Sequence, residues 1–223
     1  VRSRRQRQMC IRDSVVWFIR LPRLILAAAI GMSLSICGVV MQAIVKNPLA
    51  EPYVLGISSG ASLGATLSIM LGVGVAFGPN YVGVMACLGA FAISIGVVTL
   101  SNIGGRATSV KLLLAGMALS SLCSAFSNFI VYFSNDQDGM KTVSYWMMGS
   151  LGGASWENNA IVVPISILGV LFFWTQYRTL NLMLLGDESA ITLGTDLHPW
   201  RQLYLLVSSI MVGFAVYLSL IHI

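Results

Sequence analysis

The sequence predicts an all-α, polytopic membrane helix bundle of about six spans, and three observations predict it. Charged residues make up 9% of the 223-residue chain and hydrophobic residues 57%, against roughly 25% charged in soluble domains. From Pro52 to Gly105 there is no Asp, Glu, Lys, Arg or His, a run too long for one membrane crossing and suited to two. The apolar runs are separated by short Gly, Pro and Asn clusters, the punctuation that turns a chain between helices.

The first span is expected over about 22–45, with Arg20-Leu-Pro-Arg23 at its entrance. Its charge-free part, Leu24 to Val45, is long enough as a helix to cross a hydrocarbon core of ~30 Å. A polar corner follows, Lys46-Asn47-Pro48-Leu49-Ala50-Glu51-Pro52, where two prolines and an Asn-Pro turn reverse the chain. Gln42, Asn47, Pro48 and Pro52 are its marked residues. The second span is expected over about 50–75. Its Gly56, Gly60, Gly64, Ser68 and Gly72 recur at every fourth position, a small-residue face that lets backbones approach where lipid offers no drive between helices.

The third span is expected over about 81–101, after the Gly78-Pro79-Asn80 turn, and the fourth over about 111–134. The fourth carries Gly116, Ser120, Ser124 and Asn128 at the same spacing. Such a stripe is either interhelical hydrogen bonding or the wall of a watery path. The following loop contains Tyr145, Trp146 and Trp156, which suit a membrane interface and an interfacial helix. The fifth span is expected over about 157–176, with Pro164 bending it or lying near its first turn. The sixth begins near 201.

Between the fifth and sixth spans lies Gly186-Asp187-Glu188-Ser189-Ala190-Ile191-Thr192-Leu193-Gly194. Asp187 and Glu188 favour a helix N-terminus by charge–dipole attraction, and Gly194 can supply a left-handed C-terminal cap. A helix of about two turns outside the membrane is expected. It is either a solvated connector or a docking element for a soluble partner. Alternating the loops puts Lys46, Arg106, Lys111, Arg178 and Arg201 on one side and Arg20, Arg23 and Lys141 on the other. The positive-inside rule places the first set in the cytoplasm.

The two ends read differently. One codon choice for Leu218 to Ile223 has a reverse complement containing ATG TGT ATA AGA GAC, which encodes Met9 to Asp13. Unrelated protein ends have no reason to be complementary in this way. Residues 1–14 and 218–223 are therefore expected to be translated sequencing adaptor, and 15–217 the partial transmembrane domain. Removing Arg2, Arg4, Arg5, Arg7, Arg12 and Asp13 leaves 8 basic and 7 acidic residues, so the net charge falls from +5 to +1. The basic balance is then no argument for nucleic acid.

Chemistry is not expected of this chain. There is no G-x-x-x-x-G-K-[ST] phosphate loop, no nucleophile–base pair and no His/Cys/acid cluster with metal-ligand spacing. Cys37, Cys87 and Cys123 lie in apolar runs and read as small buried hydrophobes. His198, before Pro199-Trp200, reads as interfacial. No span carries a mid-membrane acid or His, which counts against an ion-driven carrier.

Arg20-Leu-Pro-Arg23, Gly38-x-x-x-Gln42, Asn47-Pro-Leu-Ala-x-Pro52 and Leu55-Gly56-x-x-x-Gly60-Ala61 together resemble the FecCD/BtuC-type permeases of iron-siderophore, haem and vitamin B12 ABC importers. Leu112-Leu-Leu-Ala-Gly116, Tyr145-Trp-Met-x-Gly149 and Leu185-Gly186-Asp187-Glu188-x-Ala190-x-x-Leu193-Gly194 continue the resemblance in order. It implies a ten-span type II permease, working as a homodimer or close heterodimer in a bacterial or archaeal cytoplasmic membrane. It implies two ABC ATPase subunits that hold ATP and Mg, and an extracytoplasmic substrate-binding protein. No cofactor, metal or nucleic acid is implied for the chain itself. By resemblance, Gly186, Asp187, Glu188, Ala190, Leu193 and Gly194 form the coupling helix on the ATPase. Thr108 and Ser109 belong to the cytoplasmic gate loop, and Gly116, Ser120, Ser124 and Asn128 to the translocation path.

The implied cargo is a metal chelate, with iron-siderophore favoured. The first span of the parent and all after the start of its seventh are expected to be missing, so the chain as written is not expected to transport alone. The alternatives are an ion-gradient-driven carrier or channel of unrelated fold, and a fragment without activity.

Overall fold

The computed structural model describes residues 14–53, 55–78, 80–103, 105, 107–134 and 136–219, with side chains to 217. Pro79, Gly104, Arg106, and 1–13 and 220–223 of the two ends expected to be adaptor, lie outside the described residues. Among those described there is no strand. The helices are α1 (Leu21–Val45), α2 (Ile57–Leu71), α3 (Tyr81–Asn102), α4 (Ser109–Phe133), α5 (Gln137–Met148), α6 (Trp156–Thr175), α7 (Tyr177–Leu185), α8 (Asp187–Thr192) and α9 (His198–Ser219). A π-helical turn, Val16–Arg20, runs directly into α1.

Four of these are long and apolar enough to cross a membrane: Val16–Val45, α3, α4 and α6. The remaining two expected spans correspond to α2 and α9, so the bundle expected from the sequence is the one observed. The second span differs in its bounds. Helix α2 has 15 residues, because the chain from Asn47 to Tyr53, and again at Leu55 and Gly56, is not helical. Gly72, at φ 64°, caps its other end, with a short 3-10 turn, Val75–Phe77, beyond it. The interfacial helix lies at Gln137–Met148, with the Asp136 side chain accepting from the Asp138 N–H at its start. Pro164 sits inside α6, well past its first turn.

The polar corner is built by backbone chemistry. Lys46 closes α1 in the left-handed conformation at φ 58°, the only described non-glycine residue with positive φ. Its N–H and that of Asn47 (3.2 Å) both reach the Gln42 carbonyl, which would otherwise be an orphan acceptor. Asn47 Oδ1 then accepts from the Leu49 N–H at 2.9 Å, an Asx-type turn. Pro52 comes to rest beside Gly38, where an added Cβ would stand 3.7 Å from its ring.

Helix α2 occupies the middle of the bundle, against α3, α4 and α5. Its contact with α3 is a close backbone approach. A Cβ on Gly60 would stand 2.6 Å from the Gly89 carbonyl oxygen, a Cβ on Gly64 would collide with the Met85 carbonyl, and a Cβ on Gly89 with that of Gly60. Helix α1 packs on α6 and α9, and α9 on α3. Cys37, Met41 and Ile44 of α1, Ala86, Ala90 and Val97 of α3, and Tyr204, Leu205 and Val212 of α9 share one buried cluster.

A few polar contacts fix helix positions within the apolar packing. Ser33 Oγ donates to Ser166 Oγ at 2.8 Å, and Tyr204 Oη to Gln176 Oε1 at 3.0 Å. Asn159 Nδ2 donates to the Pro22 carbonyl at 2.9 Å, which staples the start of α6 to the start of α1. Pro22 has no N–H to offer the carbonyl five residues back, as a π turn requires. That carbonyl, of Trp17, takes the Trp156 indole N–H at 3.1 Å instead, with the two indoles tilted 37° to each other at 5.4 Å between centroids.

The backbone contact between α2 and α3 predicts the outcome of adding a single methyl group. Gly64→Ala should lower stability in detergent unfolding by about 1–3 kcal/mol, the usual cost of overpacking. Gly31→Ala, where nothing lies within 4 Å of the added Cβ, should hold or slightly raise the unfolding midpoint, since alanine is the better helix former. Equal midpoints for the two variants would contradict the packing described.

Candidate functional site

One end of the bundle gathers the end of α1, the loop before α4, all of α8 and the start of α9. Helix α8 is shorter than two turns, and both its ends are glycine-dependent. Gly186 precedes it at φ 109°, ψ 162°, a region open essentially to glycine alone. Gly194 follows at φ 77°. The Gly194 N–H reaches the Ile191 carbonyl and the Thr195 N–H the Ala190 carbonyl, both at 2.9 Å. That pair of bonds is a Schellman cap. Ala190 faces inward and is buried, while Glu188, Ser189, Ile191, Thr192 and Leu193 are exposed.

The carboxylate of Asp187 is the junction of this end. Its Oδ1 accepts from Lys46 Nζ at 3.0 Å and from Arg201 Nη2 at 2.7 Å. Arg201 is only 2% exposed, and its Nη1 donates to the Ala107 carbonyl at 3.1 Å. One guanidinium thus spans from the first residue of α8 to the loop that precedes Thr108 and Ser109. Thr108 is exposed and N-caps α4, its Oγ1 accepting from the Lys111 N–H at 3.3 Å. Ser109 Oγ donates to the Ile44 carbonyl at 2.6 Å, one of the four carbonyls left over at the end of α1. His198 and Asp196 flank the junction, and the Asp196 side chain accepts from the His198 N–H at 3.0 Å.

The electrostatics favour the ion pairs. Partial burial works to raise the Asp187 carboxyl, but the hydrogen bonds and charges of Arg201 and Lys46 outweigh it and hold the group below its ordinary value. Such a carboxylate adds stability above its unfolded pKa and loses that contribution as the pH falls through the lower, folded pKa.

The stripe on α4 is divided by the structure. Gly116 is buried where a Cβ would meet Leu55 Cα at 2.8 Å, and Ser120 Oγ lies 2.8 Å from Ser59 Oγ of α2. Ser124 and Asn128 are exposed, beside Ser121, Phe129 and Tyr132. The upper stripe therefore serves a helix–helix contact and the lower part an open face. Gly56, at φ 82°, lies against Gly116, with 3.1 Å from its would-be Cβ to the Gly116 carbonyl oxygen. Gly60 and Gly64 lie against α3, as described above.

Lys46 and Arg201 have no site role in the sequence reading, which counts them only as orientation charges. His198 and Arg201 instead help to line a cavity of about 170 Å3 with Ala107, Thr108, Asp187 and Ile191. The sequence shows only that Lys46 and Arg201 each lie at a span boundary, not that they meet Asp187. No group of three or more His, Cys, Asp or Glu residues able to hold a metal occurs among the described residues.

Residues 5–219 match the FecCD transport family. The hemin transport system permease protein HmuU of Yersinia pestis is 41% identical over 213 residues, which are 92% of this chain and 61% of that protein. The vitamin B12 import system permease protein BtuC of Escherichia coli O6:H1 is 39% identical over 205 residues, again 92% of this chain and 61% of that protein. A solved structure described as a metal-chelate type ABC transporter in an inward-facing conformation superposes with a TM-score of 0.83 at 29% identity, covering 94% of this chain and 65% of that one. The chain spans about three-fifths of the length of the curated relatives it matches.

Acid titration checks the junction. The stability difference between wild type and Asp187→Asn should stay constant from neutral pH down to about 4, near the ordinary carboxylate value, and close only in stronger acid. Detergent unfolding across that range measures it, and a gap that closes well above that value would contradict the pairing.

Proposed function

The chain belongs to the FecCD transport family, and on that premise we propose that it is the membrane-spanning permease subunit of an ATP-driven importer of a metal chelate. The observation that carries the coupling half of this reading is the apolar rim around α8. Leu184, Leu185, Ile191 and Leu193 are 58%, 66%, 63% and 65% exposed, at an end where the chain leaves the bundle. Apolar side chains grouped in water mark a docking surface. A short helix with fixed caps is a rigid knob for a groove on a soluble partner. The partner in this reading is a pair of cytoplasmic ABC ATPase subunits, as the resemblance to importer permeases implies.

The end of the bundle that carries Lys46, Lys111, Arg178 and Arg201 faces the cytoplasm in this reading, and the membrane is the bacterial or archaeal cytoplasmic membrane. The exposed strip of α4 with Ser124 and Asn128 lines the path between two permease copies. Polar side chains there need water or protein rather than lipid. A binding protein delivers the cargo at the opposite end. ATP-driven closure of the ATPase pair pushes α8 and re-packs the spans, a rigid-body switch between two arrangements.

The cargo class is a bulky, metal-centred organic ligand, the common element of haem, vitamin B12 and metal chelate. Within it, an iron-siderophore is the proposed cargo on the sequence resemblance. Uptake of haem, cobalamin and a ferric siderophore, each compared in cells with and without the transporter, decides among the three.

Leu193→Asp combined with Ile191→Asp should reduce recovery of the ATPase with the permease by about tenfold, as loss of central apolar contacts does at interfaces. A pull-down from detergent reads it, and unchanged recovery would remove the docking role of α8. Uptake should stop when the ATPase catalytic site is inactivated. Uptake that persists without ATP and collapses with the ion gradient would instead establish a secondary carrier.

A further inference from the structure

We propose that Arg201 and Asp187 are positioning residues that make α8 and the loop before Ser109 move as one body. The inference deepens the coupling role proposed for α8 and rests on it. Its basis is a single guanidinium with two grips. Nη2 holds the carboxylate on the first residue of α8 at 2.7 Å, and Nη1 holds the Ala107 carbonyl at 3.1 Å. The two gripped atoms belong to segments 80 positions apart in sequence.

Three features make this contact a transmitter rather than a surface pair. Arg201 is buried at 2% exposure, so its bonds are not readily exchanged for water. The planar fork of arginine satisfies two acceptors in fixed directions, which a lysine at the same place would not do. Ser109 at 2.6 Å from the Ile44 carbonyl and Lys46 at 3.0 Å from Asp187 extend the connection to the last turn of α1. A displacement of α8 therefore reaches the ends of α1, α4 and α9 through named bonds. The adjoining cavity of about 170 Å3 leaves the loop and the helix room to shift together.

The test uses the transporter assembled with its ATPase subunits in proteoliposomes, and measures substrate carried per ATP hydrolysed. Asp187→Asn and Arg201→Lys are compared with wild type at equal amounts of bound ATPase, so that docking and coupling are read separately. Substrate carried per ATP should fall about tenfold, within the range that coupling residues command. The exchange variant, Asp187→Arg with Arg201→Asp, should recover part of that loss. Should Arg201→Lys fail to assemble, Asp187→Asn alone carries the test, since the Asp187 side chain is 37% exposed.

An unchanged ratio in Asp187→Asn overturns the link. So does a proportional loss of hydrolysis and uptake at equal bound ATPase. The docking role of α8 fails separately, only if Leu193→Asp with Ile191→Asp leaves association intact.

Discussion

Hydrocarbon gives two apolar helices no reason to pair, and the whole bundle is arranged around that constraint. What remains is dispersion, which needs closely approaching atoms, and the occasional hydrogen bond. Helix α2 meets it by removing side chains where it faces α3: Gly60, Gly64 and Gly89 bring carbonyl oxygens to within van der Waals reach of the facing backbone. With α2 fixed in the centre, α4 can sit against Leu55 and Ser59, and α5 can cross its outer end. The hydroxyl pairs Ser33–Ser166 and Ser59–Ser120 then choose helix rotations that dispersion alone leaves open.

At the membrane boundary the constraint reverses. There charged groups are available, and the fold concentrates them at one carboxylate. Asp187 serves two cations, and the more buried of these, Arg201, also satisfies a loop carbonyl. The backbone contributes comparably: left-handed Lys46, Gly186 and Gly194 end one helix and isolate another, so that α8 stands clear as a separate rigid piece. Apolar packing sets the frame within the bilayer, and hydrogen bonds and charge set the geometry of its edge.

Much of this was legible in the sequence, and the parts that were not share a cause. Spans over 22–45, 81–101, 111–134 and 157–176 follow from charge-free length, and the helices found there match within a few residues. The capped segment Gly186–Gly194 was readable because its signals are local, acids at one end and a glycine at the other. The short α2 was not, since Pro52 to Gly56 is as apolar as the helix it precedes, and its late start rests on left-handed Gly56 and on Leu55 buried against Gly116 of α4. The Lys46–Asp187 pair joins residues 141 positions apart, and no local pattern encodes which cation meets which acid. The division of the α4 stripe at Ser120 likewise depends on a tertiary contact, with Ser59 near the start of α2.

The brevity of α2 has a consequence for the lipid itself. Fifteen residues at 1.5 Å each come to roughly 22 Å of helix, short of a hydrocarbon core of ~30 Å. On the side of the polar corner, Ala50 and Leu55 are screened by neighbouring helices. At the other end Val73, Val75 and Phe77 are bare, and lipid must either thin to meet them or be replaced by protein. Such mismatch costs fractions of a kcal/mol per Å, enough to make bilayer thickness a control on this molecule's arrangement.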